Sequence, residues 1–214
     1  MDLTWLRWAR QLQALAQNGL AYGKDPYDIE RYESVREIAH EIMASYSAVD
    51  HAHVRALFTA ERGYATPKVG VRGTVFHDDA LLLVRERSDG LWTLPGGWAD
   101  VNESPSEAVV REVYEESGYR TRAVKLLALY DRDKHGHPPH PYHVYNLFFL
   151  CQLEEGRAMQ GVSDTDGTVS IETDGAAFFR EHEMPELSIS RVTPTQITRL
   201  FEHRRHPEWP TDFD

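Results

Sequence analysis

A single cysteine, Cys151, stands in the 214 residues. One thiol excludes any disulfide within the chain, so stability must come from packing, and a reducing, cytoplasmic setting is the simple expectation. Long apolar runs are also missing. The longest are short, such as Ala80 to Val84, far below the ~18 residues that cross a bilayer. The opening segment carries Asp2, Arg7 and Arg10 inside its apolar pattern, which is not how a secretory leader reads. Basic residues are the third shortage. They number 23 against 34 acidic ones, a net charge of −11. That balance opposes binding to nucleic acid or to an anionic membrane surface. An excess of carboxylates suits a divalent-metal enzyme, and equally a solvated acidic surface.

What is present divides the chain in two. Residues 2–17 have an apolar stripe of Trp5, Trp8, Leu12 and Leu15 at helical spacing, with Asn18-Gly19 as the expected stop. A second helix is expected from an N-cap at Asp28 to about Ser47, with Tyr32, Val35, Ala39, Ile42 and Tyr46 on one face. A third, short helix covers about 48–61. Some 60 residues make a poor core alone, so this helical domain, residues 1–62, is expected to pack on the rest or on a second copy. Gly63 to Pro67 is the natural boundary of a second domain, 66–214. There the period changes to two: Val69, Val71 and Val75 alternate with Lys68, Arg72 and Thr74. Strands are expected at 68–76, 80–85, 123–131, 142–152 and around 168–172. Helices are expected at 105–117 and 194–203, with a polar loop at 160–167. Mixed strands and few helices make an α/β or α+β fold.

The chemistry concentrates between Leu94 and Tyr119, LPGGWADVNESPSEAVVREVYEESGY. Ser104, Pro105 and Glu107 form a capping box with proline at the first helical position, and Gly118 closes the helix. Glu112, Glu115 and Glu116, at i, i+3 and i+4, fall within about a quarter of the circumference. Arg111 stands beside them, Glu103 precedes the helix, and the tight Pro95-Gly96-Gly97 segment offers backbone carbonyls. Hard oxygen ligands in this number suit Mg²⁺ or Mn²⁺ acting on a phosphate-bearing substrate.

The spacing from Gly97 through Glu103 to Arg111-Glu112-Val113-Tyr114-Glu115-Glu116-Ser117-Gly118-Tyr119 resembles the Nudix box, with Tyr119 in place of the usual aliphatic residue. The strand KVGVRGTVF, the phrase FFREHEMPEL and the segment DRDKHGHPPHPYHVYNLFFLCQ extend the resemblance to nearly the whole chain. They point to the branch with an N-terminal helical domain that hydrolyses X-linked nucleoside diphosphates, similar to CDP-choline and ADP-ribose pyrophosphatases. The resemblance implies an α/β/α sandwich with a mixed sheet. It implies metal ligation by Glu112, Glu115, Glu116 and a backbone carbonyl at the Gly96-Gly97 turn, that of Gly97. Arg111 would orient a box glutamate and Glu103 would hold Arg111. Water would attack one phosphorus of the P–O–P bridge, with Glu112, Glu115 or an acid outside the box, Glu172 or Glu183, as proton acceptor. Candidate substrate contacts are Arg72, His137, His140, Tyr142 and Glu172. A homodimer through the N-terminal helices is expected, family relatives often being dimeric. Two other functions share these features: an RNA end-processing hydrolase, disfavoured by the charge, and a ligand sensor or transcriptional regulator, disfavoured by the intact carboxylates.

Overall fold

The computed structural model describes residues 4–46, 51–154 and 172–214, in two compact units. The expected loop 160–167 lies outside the described residues, as do 168–171 of the expected strand; the strand that is seen begins at Thr173.

The helical unit runs to Pro67 and includes the distant segment Pro139–His143. Its helices are α1 (Thr4–Tyr22), α2 (Pro26–Tyr46) and α3 (His51–Ala60). Asn18-Gly19 does not stop α1. The Asn18 side chain is turned to the backbone N–H of Ala65 at 2.7 Å, and Gly19 is the place where the Tyr32 ring of α2 lies against the helix. A Cβ at Gly19 would stand 2.4 Å from that ring, so the glycine serves packing. Nor is Asp28 the cap of α2. Asp25 accepts from the N–H groups of Tyr27 and Asp28, and Pro26 takes the first helical position. The buried face of α1 is Leu6, Ala9, Gln13, Ala16 and Gln17, whereas Trp8 is 55% exposed and Leu15 62%. Small alanines let helices approach closely, and the two inward glutamines donate to the carbonyls of Phe58 and Gly63. The large apolar residues of the expected stripe therefore divide between the core and the surface. Arg10 holds the segment 139–143 by donating to the carbonyls of His140 and Pro141.

The second unit contains β1 (Lys68–His77), β2 (Ala80–Glu86), β3 (Trp92–Thr93), α4 (Pro105–Ser117), β4 (Thr121–Asp131), β5 (Val144–Leu153), β6 (Thr173–Arg180), α5 (Pro194–Arg205) and β7 (Asp212–Phe213). The strands join in the order β3-β2-β1-β5-β4-β7, with β6 beside β2. β1 and β5 run parallel and β4 and β5 antiparallel, so the sheet is mixed, as expected. Each face buries its own core. On one, Val71, Val75 and Leu82 meet Ala108, Val109 and Val113 of α4. On the other, Leu81, Leu83, Tyr130 and Phe148 meet Ile197, Leu200 and Phe201 of α5. The fold is an α/β/α sandwich.

Contact between α4 and β1 is closest at Gly73. A Cβ there would lie 2.3 Å from a Val113 methyl. Gly73→Ala should destabilise the protein by roughly 1–3 kcal/mol through overpacking. Adding Val113→Ala should recover part of that loss. Thermal unfolding of the two single mutants and the double mutant measures the coupling.

Candidate active site

Helix α4 is set at both ends by its own sequence. Ser104 Oγ accepts from the Glu107 N–H at 3.3 Å, and Glu107 Oε2 accepts from the Ser104 N–H at 2.8 Å. Gly118 adopts φ 74° and returns its N–H to Tyr114. With start and stop fixed, the carboxylate positions around the helix are fixed as well.

A solvated acidic face would leave all three glutamates in water. Instead Glu112 is 9% exposed and Glu116 4%, lying on the buried side with Ala108, Val109 and Val113; only Glu115 is exposed. Both buried carboxylates face the turn before the helix. The Gly96 N–H donates to Glu116 Oε2 at 2.8 Å, and a Cβ on Gly97 would stand 2.8 Å from Glu112 Oε1. The turn is fastened to β1, because Gly73 N–H donates to the Pro95 carbonyl and Val71 N–H to the Gly97 carbonyl. Gly96 has φ 144°, and a Cβ would press to 2.1 Å from the Val71 oxygen, so no other residue fits there.

Arg111 gathers the remaining acids. Its Nε and Nη2 grip Glu103 at 3.0 and 3.1 Å, and its Nη1 reaches Glu112 at 2.9 Å and Glu115 at 3.0 Å. The Glu103 bond is the first of several that raise the guanidinium pKa. A planar fork gripping one carboxylate at two points fixes orientation in a way lysine cannot.

The local electrostatics suit a cation. Burial pushes the Glu116 carboxyl up to about 8, against the pull of the Gly96 N–H and the Arg72 charge, while Glu112 and Glu86 push it further. Burial also raises Glu112, with Arg111 opposing. Two buried carboxyl groups on adjacent turns of one helix, with hard oxygen donors around them, suit a divalent ion.

Arg72 comes to the same place. Its Nη1 donates to the Gly96 carbonyl, while its Nε is buried with no partner among the described residues. No motif or spacing singles out Glu86, the last residue of β2. It is 4% exposed, accepts from Arg191 Nε at 2.9 Å, and lies within range of the Arg72 and Glu116 charges. It ends a strand whose residues are buried on both faces, so only the folded sheet reveals it.

The other candidates separate. His137 is buried in this unit, whereas His140 and Tyr142 belong to the helical unit, where His140 Nδ1 meets the backbone of Tyr142. Glu172 is exposed, with its carbonyl accepting from the Arg87 N–H and its charge reaching Glu86. Glu183 is exposed beside His182, in the turn after β6, and shows no tie to the carboxylate group. Trp92 packs edge-on against Phe179, as a core residue does. Cys151 is buried, which lifts its thiol to about 12 and leaves it unreactive.

Residues 66–199 match the NUDIX domain, and residues 4–58 match the UDP-X-like, N-terminal oligomerisation domain. The chain belongs to the Nudix family. It is a pyrophosphohydrolase, and the family's divalent-metal chemistry fits the carboxylates described above. Over 210 residues it is 47% identical to a putative ADP-ribose pyrophosphatase of Bacillus subtilis, covering 98% of this chain and 97% of the relative. An ADP-ribose pyrophosphatase of Methanocaldococcus jannaschii is 31% identical over 133 residues, 59% of this chain and 70% of that one. Among solved structures, a UDP-X diphosphatase superposes with TM-score 0.58 at 28% identity, over 99% of this chain and 98% of the other. An ADP-ribose pyrophosphatase of Streptococcus suis gives 0.59 at 38% identity, over 70% of this chain and all of the other.

The raised Glu116 carboxyl makes stability depend on pH. Its ordinary value is 4.5 and its folded value about 8. Between these the folded state holds a proton that the unfolded state has released, so stability falls as pH rises through the window. In the presence of chelator, the melting temperature should drop by several degrees from pH 5 to 8. Mg²⁺ should restore it at pH 8, and Glu116→Gln should flatten the chelated profile. Calorimetry at a series of pH values checks all three.

Proposed function

We propose that this protein hydrolyses the pyrophosphate bond of a nucleoside diphosphate linked to a second moiety X, giving a nucleoside monophosphate and phosphorylated X. The observation that carries the reading is the buried Glu112–Glu116 pair facing the Gly96-Gly97 turn, with a partly unsatisfied Arg72 beside it. The names of the relatives put ADP-ribose and uridine diphosphate conjugates first, with CDP-choline to be tried beside them. In this reading Glu112, Glu115 and Glu116 hold Mg²⁺ or Mn²⁺, with a backbone oxygen of Gly96 or Gly97. Such an ion neutralises the phosphoryl oxygens and acidifies a water. Arg111 and Glu103 are positioning residues: by fixing Glu112 and Glu115 they keep two carboxylates aimed before any ligand arrives. Glu115, the exposed member, is the carboxylate that water reaches for proton transfer. The spare donors of Arg72 suit a phosphate oxygen.

Glu116→Gln should cut turnover by more than a hundredfold while keeping the fold, since it removes a charge from a repelling pair. Chelator should abolish activity, and the products should contain no orthophosphate. A chromatographic assay over a panel of conjugates tests the reading. Near-normal activity of the variant at saturating Mg²⁺, or direct orthophosphate release, would sink it.

The matched N-terminal family is described by its oligomerisation, and α1 and α2 expose Trp8, Leu15, Ile38 and Tyr46. Apolar surface of this size marks an interface, and a twofold dimer is the commonest solution. A homodimer through these helices follows, in a cytoplasmic setting consistent with the lone buried thiol. Light scattering should show a dimer at micromolar concentration. Trp8→Glu with Leu15→Glu should shift it to monomer, because both side chains already lie outside the core.

A further inference from the structure

The sheet face opposite α4 carries polar groups that the carboxylate chemistry does not use. Asn146 on β5 stands in register with Gly70 on β1 and Tyr130 on β4, and directly paired residues share a face. It is 4% exposed. Its amide leans over Gly70, where a Cβ would meet Asn146 Oδ1 at 2.6 Å and the Gly97 carbonyl at 3.6 Å. The missing side chain at 70 thus makes room for Asn146 beside the active-site turn. Arg72, two residues further along the same face, reaches that turn at Gly96 and leaves its buried Nε without a partner among the described residues.

The loop 132–138 comes over the same face, with the His135 ring stacked on Tyr130 at 3.8 Å. Arg132 braces the loop by donating to the carbonyls of Pro138 and Ser190. His137 Nδ1 lies 2.8 Å from the Ile189 carbonyl. A carbonyl only accepts, so Nδ1 carries the proton and Nε2 presents a lone pair. That Nε2 is buried, has no partner among the described residues, and belongs to a ring within range of the Arg72 charge. Burial holds the imidazole down at about 4, so the ring is neutral in ordinary buffers. Buried polar atoms are seldom left unpaired, because each costs its full desolvation, and one that is calls for a partner such as a water, an ion or a ligand.

We propose that Asn146 and His137, next to Arg72, form the pocket that recognises the uncharged hydrogen-bonding group attached to the substrate phosphate, a sugar hydroxyl or an N–H on a base edge. The inference rests on the nucleotide-conjugate reading above. The division of labour follows from the donor inventory. Arg72 only donates and takes an anionic oxygen. His137 Nε2 only accepts and takes a hydroxyl or amine hydrogen. Asn146 does both and can pair with a donor–acceptor edge. A bare phosphate satisfies Arg72 but carries neither the sugar nor the base that the pocket would hold.

Titration calorimetry on the full chain with uridine and adenosine monophosphates, ribose 5-phosphate and inorganic phosphate tests the assignment. His137→Asn keeps a donor for the Ile189 carbonyl and deletes the acceptor. Asn146→Leu keeps the volume and deletes the amide. Each should weaken the sugar-bearing ligands about tenfold, one hydrogen bond's worth, and leave inorganic phosphate unchanged. Loss on ribose 5-phosphate as well as the mononucleotides identifies the sugar; loss on the mononucleotides alone identifies the base; both uphold the pocket. Unchanged affinity for every sugar-bearing ligand, or an equal loss for inorganic phosphate, overturns it. His137→Phe removes the brace as well as the acceptor and should melt lower than His137→Asn, which alone carries the test should Asn146→Leu fail to fold. Wild type that binds mononucleotides in this pattern yet cleaves no conjugate would refute the hydrolase reading and not the pocket. Conjugate cleavage with KM unaltered in His137→Asn would refute the pocket and not the hydrolase.

Discussion

The burial of Glu112 and Glu116 on one helix is the constraint on which the site depends. Two carboxylates on one helix would ordinarily turn to water. Here the capping of α4 fixes the limits of the helix, and Val109 and Val113 face β1, so both acids are carried into the interior. The surrounding groups answer that burial in part. A backbone N–H takes one oxygen of Glu116, and Arg111 takes one of Glu112. What remains is an incompletely compensated negative centre, held by packing and not by its own interactions. In the proposed reading a divalent ion would supply the compensation that the fold leaves out.

Much of this was legible in the amino-acid order. The bracket of Ser104, Pro105, Glu107 and Gly118 specifies a helix by local chemistry alone, and its limits are those seen. The mixed sheet, the two helices of the second unit and the grouping of Arg111 with Glu103, Glu112 and Glu115 follow from short-range spacing. Long-range facts were not legible. Glu86 and Asn146 lie in unremarkable strands and acquire meaning only through their neighbours on adjacent strands. The expected stripe of α1 coincides only in part with its buried face, whereas in α2 Ala39 and Ile42 do face the core. In α1, Ala9 and Ala16 occupy the core, since closely packed helices favour small side chains, and Trp8 and Leu15 remain outside. Gly19, expected as a stop, is a seat for Tyr32.

Histidines show the limit of composition. His135, His137, His140 and His143 are close in sequence and suggest a cluster. Backbone direction separates them: His137 remains with the catalytic unit, while the segment from Pro139 to His143 is grouped with the helices. Prolines between them prevent the regular spacing that would bring several imidazoles to one point. Each ring is then governed by its own surroundings, as the carbonyl of Ile189 does for His137 and the carboxylate of Asp214 for His135.

Strand β1 has two employers. Its odd-numbered residues, Val71, Gly73 and Val75, meet α4, while Gly70 and Arg72 face Asn146 and the cleft. Side chains alternate with a period of two, so losing or gaining one residue would exchange the roles. A guanidinium would be driven under the helix, and a valine would stand where Arg72 now reaches the Gly96 turn. Structure and chemistry are therefore encoded in the same reading frame of one strand. Evolution can alter individual letters there, but insertions and deletions are closed to it unless they come in pairs.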